Sequence, residues 1–119
     1  MHSERLLDHF QNPRNIGVLD LPGAVTVEVM NPACGDILRL SALLENGEIR
    51  EVRYKTRGCT AAIAAGSALT ELLLGRTLAD AAGITAAHVE EAVGGLQPAS
   101  KHAAVLCVDG VKALLRKLT

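Results

Sequence analysis

Polar and apolar positions change period several times along the chain. Near the start, Leu6, Leu7 and Phe10 recur at helical spacing behind Ser3, a helix-capping residue type, and predict a short amphipathic helix. The stretches Asn12-Pro13-Arg14-Asn15-Ile16-Gly17 and Leu21-Pro22-Gly23 are dense in turn formers, so residues 11–24 read as irregular. Val25, Val27 and Val29 then alternate with Thr26, Glu28 and Met30, the period of two expected of a half-buried strand. Asn31-Pro32-Ala33-Cys34-Gly35-Asp36 interrupts the alternation. It resumes with Ile37, Leu38, Leu40, Ala42 and Leu44, and again, after Asn46-Gly47, with Ile49, Val52 and Tyr54. An Asn-Gly pair between two such runs is a strong hairpin signal, because both residues tolerate positive φ. Three antiparallel strands in meander order follow, with Cys34 and Asp36 in the turn between the first two.

Beyond Arg57-Gly58-Cys59 the composition turns to Ala, Leu, Ser and Thr, and residues 60–74 read as a helix ended by Gly75. Residues 77–81 and 85–93 read as two shorter helices, each opened by a Thr cap. Gly94-Gly95-Leu96-Gln97-Pro98 breaks the chain before a last helix from about Ser100 to Leu118. That helix carries Ala104, Cys107, Val108, Val111, Leu114, Leu115 and Leu118 on one stripe, with Lys112, Arg116 and Lys117 toward the C-terminal end that favours cations. The order predicts one α+β domain over residues 1–119, a small three-stranded antiparallel sheet with helices packed on one face and the other face wet.

Composition narrows the function. The chain has 119 residues, 49% of them hydrophobic, with one Tyr, one Phe and no Trp, so its core is built from Ala, Leu, Val and Ile. No apolar run reaches the roughly 18 residues that span a bilayer. Charges occupy residues 1–10, where a secretory signal would be greasy, and the expected setting is the cytoplasm. Twelve basic residues stand against thirteen acidic ones, with no basic cluster interleaved with aromatics, which argues against nucleic acid and membrane as partners. The three cysteines, Cys34, Cys59 and Cys107, are an odd number without an export signal. They read as free thiols, metal ligands or small buried hydrophobes rather than a disulfide framework.

Cys34 sits in a turn two residues before Asp36, and Cys59 follows Gly58 where a strand gives way to a helix. His102 lies near the start of the last helix. At a helix start, backbone N–H groups lack intrahelical partners and favour negative charge on a nearby sulfur. Two thiols, a carboxylate and an imidazole thus lie at the ends of regular elements, where distant segments converge, and such a mixed set suits Zn or an iron–sulfur cluster better than Mg or Ca. No CxxC pair reinforces this, and each residue has a plainer reading as a turn residue, a helix-start residue, a surface acid or a solvated imidazole. No serine elbow or phosphate-cradling glycine pattern points to hydrolysis or nucleotide binding, and an enzyme is not expected.

The strings LDHFQNPRNIG (7–17) and NPACGD (31–36), the run from Lys55 through Arg57-Gly58-Cys59 into the Ala/Ser-rich helix, and Gly75-Arg76-Thr77-Leu78 closely resemble the U-type iron–sulfur cluster scaffold family, which includes IscU and the N-terminal domain of NifU. The resemblance implies a non-enzymatic scaffold on which a [2Fe–2S] cluster is assembled from iron and from persulfide sulfur supplied by a cysteine desulfurase, then passed to acceptor or carrier proteins. Zn often occupies the site when no cluster is present. Residue by residue, it implies Cys34, Asp36, Cys59 and His102 as cluster and metal ligands, and a homodimer is compatible with it. Other readings are a zinc-binding persulfide acceptor and a degenerate paralogue that keeps only an interaction surface.

Two departures from the family pattern matter. Members usually place a third cysteine directly after the histidine, where this chain has Ala103. Cys107, four residues on, is about 40° around a helix and about 6 Å along it from that position. It is either a displaced ligand or a core residue on the Ala104-Cys107-Val111 stripe. Where many members carry a Leu-Pro-Pro-Val-Lys motif read by an Hsp70-type chaperone, this chain has Leu96-Gln97-Pro98-Ala99-Ser100, so chaperone docking is not expected.

Overall fold

The computed structural model describes residues 2–119. Helix α1 (Glu4–Gln11) leads to strands β1 (Val25–Met30), β2 (Ile37–Glu45) and β3 (Glu48–Arg57). Helices α2 (Thr60–Leu73), α3 (Leu78–Ala82), α4 (Ala86–Ala92) and α5 (His102–Leu118) follow. The strands form one antiparallel sheet in the order β1-β2-β3. Asn46 and Gly47 both take positive φ, 54° and 78°, as a tight hairpin between β2 and β3 requires.

The alternation sets the layers. Val27, Leu40 and Tyr54 are cross-strand partners, and Leu40 and Tyr54 are buried under the helices. Glu28, Arg39 and Lys55 are partners on the opposite face and are exposed. Helix α2 packs on β3 and α5 on β1 and β2, while α1 and α4 lie against α2. Ten of the fourteen residues of α2 are buried, which is why its apolar residues show no single stripe. Small side chains permit that depth. A Cβ on Gly66 would lie 2.5 Å from the Tyr54 ring, and the Tyr54 hydroxyl donates to the Ile63 carbonyl of the same helix at 2.8 Å.

Three details differ from the sequence pattern. Helix α1 turns Leu6 and His9 inward and leaves Leu7 and Phe10 partly exposed. His9 can be buried because α2 gives it a partner: the Ser67 hydroxyl is 2.8 Å from His9 Nδ1. Strand β3 runs three residues past Tyr54, since Lys55 to Arg57 pair with β2 although only Thr56 faces the helices. The last helix starts at His102 rather than at about Ser100, because Pro98–Ser100 forms a separate 3-10 turn. Among the described residues no helix is long and apolar enough to cross a membrane.

Candidate metal centre

The predicted ligands come from three connections at one end of the sheet. Cys34 is held at the tip of the β1–β2 loop. Across that loop the Asn31 amide donates to the Asp36 carbonyl at 2.9 Å, and the Gly35 amide to the Asn31 carbonyl at 2.7 Å. The Asn31 side chain accepts from the Ala33 amide at 2.9 Å, and Gly35 takes φ +77°, so the six-residue segment is tied to itself and its sulfur is exposed. Cys59 occupies the N-cap of α2, but its side chain makes no capping bond and is free to face elsewhere. His102 is the first residue of α5.

These segments converge. One donor atom each from Cys34, Asp36 and His102 lies within 4.8 Å of the other two. Asp36 Oδ2 is 3.5 Å from His102 Nε2, and Cys59 Sγ is 3.7 Å from the same nitrogen. Donors bound about 2.0–2.3 Å from one tetrahedral ion are about 3.3–3.8 Å apart, so both separations match edges of such a tetrahedron. The structure therefore brings together Cys34, Asp36 and His102, with Cys59 joined to them through the imidazole.

The chemistry of Asp36 fits a cation. Its Oδ2 is buried and has no hydrogen-bond partner among the described residues. A carboxylate oxygen withdrawn from water costs several kcal/mol by order of magnitude unless a cation or donor compensates it. The oxygen is buried because Gly58 lies against it: a Cβ there would come within 2.6 Å of Asp36 Cγ and 2.7 Å of Oδ2. Gly58 thus makes room for the acid and belongs to the site, although nothing but its place before Cys59 marked it in the sequence. The N-termini of α2 and α5 both open at this end, and their unpaired amides favour the negative charge of thiolates and a carboxylate.

Cys107 is not part of this constellation. It is 1% exposed in the core, and burial pushes its thiol up to about 12, which leaves little thiolate at neutral pH. The alternative of a displaced third ligand does not hold for this arrangement, since α5 is continuous from His102 and turns position 107 under the sheet. Ala103 is also fully buried and supplies no donor.

Residues 1–118 match the family model described as the NifU-like N terminal domain. The chain is 42% identical over 118 residues to "Iron-sulfur cluster assembly scaffold protein IscU" of Azotobacter vinelandii, covering 97% of this chain and 91% of that protein. It is 40% identical over 113 residues to "Iron-sulfur cluster assembly scaffold protein IscU 1" of Archaeoglobus fulgidus, covering 94% of this chain and 72% of that protein. Among solved structures, the NifU-like N-terminal protein of Brucella abortus superposes with a TM-score of 0.73 at 17% identity, over 98% of this chain and 92% of that one. A putative SUF-system scaffold from Fervidobacterium islandicum AW-1 superposes with a TM-score of 0.76 at 18% identity, over 96% of both. At such identities these two establish the α+β fold alone.

Proposed function

The chain belongs to the NifU-like N-terminal domain family, and from that premise we propose that it is an iron–sulfur cluster assembly scaffold whose cargo is held by Cys34, Asp36, Cys59 and His102. The observation that carries this reading is the convergence of donors on His102 Nε2 around an acid oxygen that has no other partner. The chain binds its cargo and gives it up; it is not an enzyme in this reading.

The ligand set suits temporary custody. Two thiolates suffice to capture iron or zinc, while a carboxylate and an imidazole hold a soft sulfide-bearing cluster less firmly than two further thiolates would. Four donors are also the number a [2Fe–2S] cluster requires, two for each iron. With Ala103 in place of a thiol there is none to spare. Each side chain has a distinct part: Cys34, at a loop tip, and Cys59 are both exposed to an incoming donor, and Cys59 and His102 are fixed by helix starts. Asp36 supplies the buried charge that draws a cation inward. Zn fits the same four donors as a single tetrahedral ion when no cluster is bound. The partners implied are a cysteine desulfurase that supplies sulfur and proteins that accept the finished cluster.

The test is anaerobic reconstitution with ferrous iron, cysteine, a cysteine desulfurase and dithiothreitol, the thiol reductant that takes persulfide sulfur to sulfide, followed by visible absorption, Mössbauer spectroscopy and transfer to an apo-ferredoxin. The expected product is a [2Fe–2S] spectrum that Cys34→Ser or Cys59→Ser abolishes. A chain that acquires no cluster absorption, or whose spectrum ignores both substitutions, is not this scaffold.

A further inference from the structure

Strand β3 lies at the edge of the sheet, and its outer edge is covered at two points. Toward its start, the Ile49 amide donates to the Arg76 carbonyl and the Ile49 carbonyl accepts from the Gly75 amide, both at 2.8 Å. In its middle, the Tyr54 amide donates to the Asn15 carbonyl at 2.8 Å, and the Tyr54 carbonyl accepts from the Gly17 amide at 2.9 Å. Along an antiparallel strand, successive residues point their N–H and C=O groups to alternate sides, so Thr56 offers both groups to the same outer edge as Tyr54. Among the described residues nothing pairs with them there, because the covering segment leaves the strand after Gly17. Unpaired edges of this kind are usually blocked or used. This one lies three residues before Cys59, at the end of the strand that leads into the metal centre.

The two sides of the open edge differ in chemistry. On the helix side is a cavity of about 150 Å³ lined by Ile16, Tyr54, Lys55, Thr56 and Ile63, with Ile16 53% exposed. On the outer side, Lys55 and Arg57 are exposed and form no ion pair among the described residues, whereas their neighbour Arg39 is taken by Glu28 at 2.9 Å. A depression of about 430 Å³ is lined by these two cations, by Thr56 and Ile37, and by the Glu28–Arg39 pair, whose carboxylate is already neutralised.

We propose that this edge is a docking surface for an extended segment of a protein partner in which acidic and apolar residues alternate. A strand added at Thr56 would take up its free N–H and C=O, and its side chains would point alternately to the two faces. Those on the helix side meet Ile16, Tyr54 and Ile63; those on the outer side lie at cross-strand distance from Lys55 and Arg57, which an acid satisfies. A protein segment fits better than single-stranded nucleic acid, which would need exposed rings to stack on; here Tyr54 is buried and Phe10 lies on α1. The surface needs no cargo to form. It goes beyond the scaffold reading, and only the identity of its partner as a cluster donor or acceptor rests on that reading.

The experiment follows the Thr56 amide by hydrogen exchange in the intact metal-free chain, with and without millimolar acetyl-Val-Asp-Val-Asp-Val-Asp-amide. On docking, this amide passes from water to a bonded partner and its exchange slows about fivefold at the corresponding occupancy, with shifts at Ile16 and Ile63 that weaken in salt. The double variant Lys55→Glu, Arg57→Glu, checked for an unchanged amide spectrum, loses the protection. Thr56→Pro, which removes the edge N–H without removing a bond to β2, loses the shifts. Unchanged exchange of Thr56 overturns the proposal, as does equal protection by the block peptide acetyl-Asp-Asp-Asp-Val-Val-Val-amide or by an oligothymidylate. Because the readout is made without metal, failure of cluster assembly leaves it untouched.

Discussion

Replacing Gly58 by Ala tests the site at its tightest point. The new methyl would stand 2.6 Å from Asp36 Cγ and 2.7 and 2.9 Å from its two oxygens. Carbon atoms in contact rest at about 3.5–4.0 Å, so the carboxylate must retreat by about 1 Å. Metal–ligand bonds tolerate about 0.2 Å, so a retreat of that size removes Asp36 from the ligand set. Loss of correct ligand placement of this kind costs about 10–100-fold in affinity. Gly58 is not at positive φ, and the obstructing group is a side-chain end that can turn away, so folding is spared. The shorter list of unfolded conformations even favours Ala by about 0.4–1 kcal/mol. The expected outcome is a protein at least as stable as the parent in urea that binds Zn(II) or Co(II) about 10–100-fold more weakly in competition with a chromogenic chelator. Asp36→Ala supplies the control: in that background Gly58→Ala should add nothing, because the two act through one atom. An unaltered affinity, or an equal loss with and without Asp36, would refute the reasoning.

Three further outcomes follow from the same geometry. Cys107→Ser places a hydroxyl in an apolar site and should cost about 1–3 kcal/mol in urea titration while leaving metal affinity unchanged; brief alkylation of the native metal-free chain should mark Cys34 and Cys59 but not Cys107. Gly66→Ala drives a methyl into the Tyr54 ring, both parts being buried, and should destabilise by about 1–3 kcal/mol, visible as a lower denaturation midpoint. The His9 pKa is lowered in the fold, first by burial and then by the Arg14 guanidinium. Arg14 Nη1 lies 3.3 Å from Nδ1 and can only donate, so that nitrogen must stay unprotonated. The unfolded chain therefore binds the proton more readily. The stability His9 contributes is complete above the ordinary imidazole value of 6.5 and is lost as pH falls from there through the lowered folded value. Urea midpoints should fall between pH 7.5 and 5 more steeply in the parent than in His9→Gln, and parallel slopes would contradict this.

The regular elements were readable because local chemistry and tertiary need agree there. Asn46-Gly47 asks for two positive φ values and obtains them, and the Val25-Val27-Val29 alternation becomes a strand face. The misreadings arise where a distant partner decides. Helix α1 taken alone favours Phe10 as its inward residue, yet Ser67 on α2 makes burial of His9 the better choice. The end of β3 has no apolar alternation to announce it, since Lys55, Thr56 and Arg57 are held by pairing with Arg39, Leu38 and Ile37. The four candidate ligand positions could be named from their motifs, but Gly58 could not be given its role, because the contact it protects is made with a residue twenty-two positions earlier in another loop.

The three cysteines show how the fold divides one residue type. Cys34 and Cys59 are exposed because one lies at a loop tip and the other just before the first turn of a helix, positions where a sulfur need not be packed. Cys107 lies one turn and a half into α5 on the face that meets the sheet, and the close approach there is enforced by Gly110, where a Cβ would come within 2.9 Å of Leu38. To bring the Cys107 sulfur to the site, α5 would have to unwind its first turns, moving His102 away from Asp36 and Cys59. The same helix start cannot both present the imidazole and deliver the third thiol. In the proposed scaffold, a chain with Ala103 would therefore hold its cargo with two thiolates, and the acid of Asp36, against which Gly58 lies, would supply the remaining negative charge.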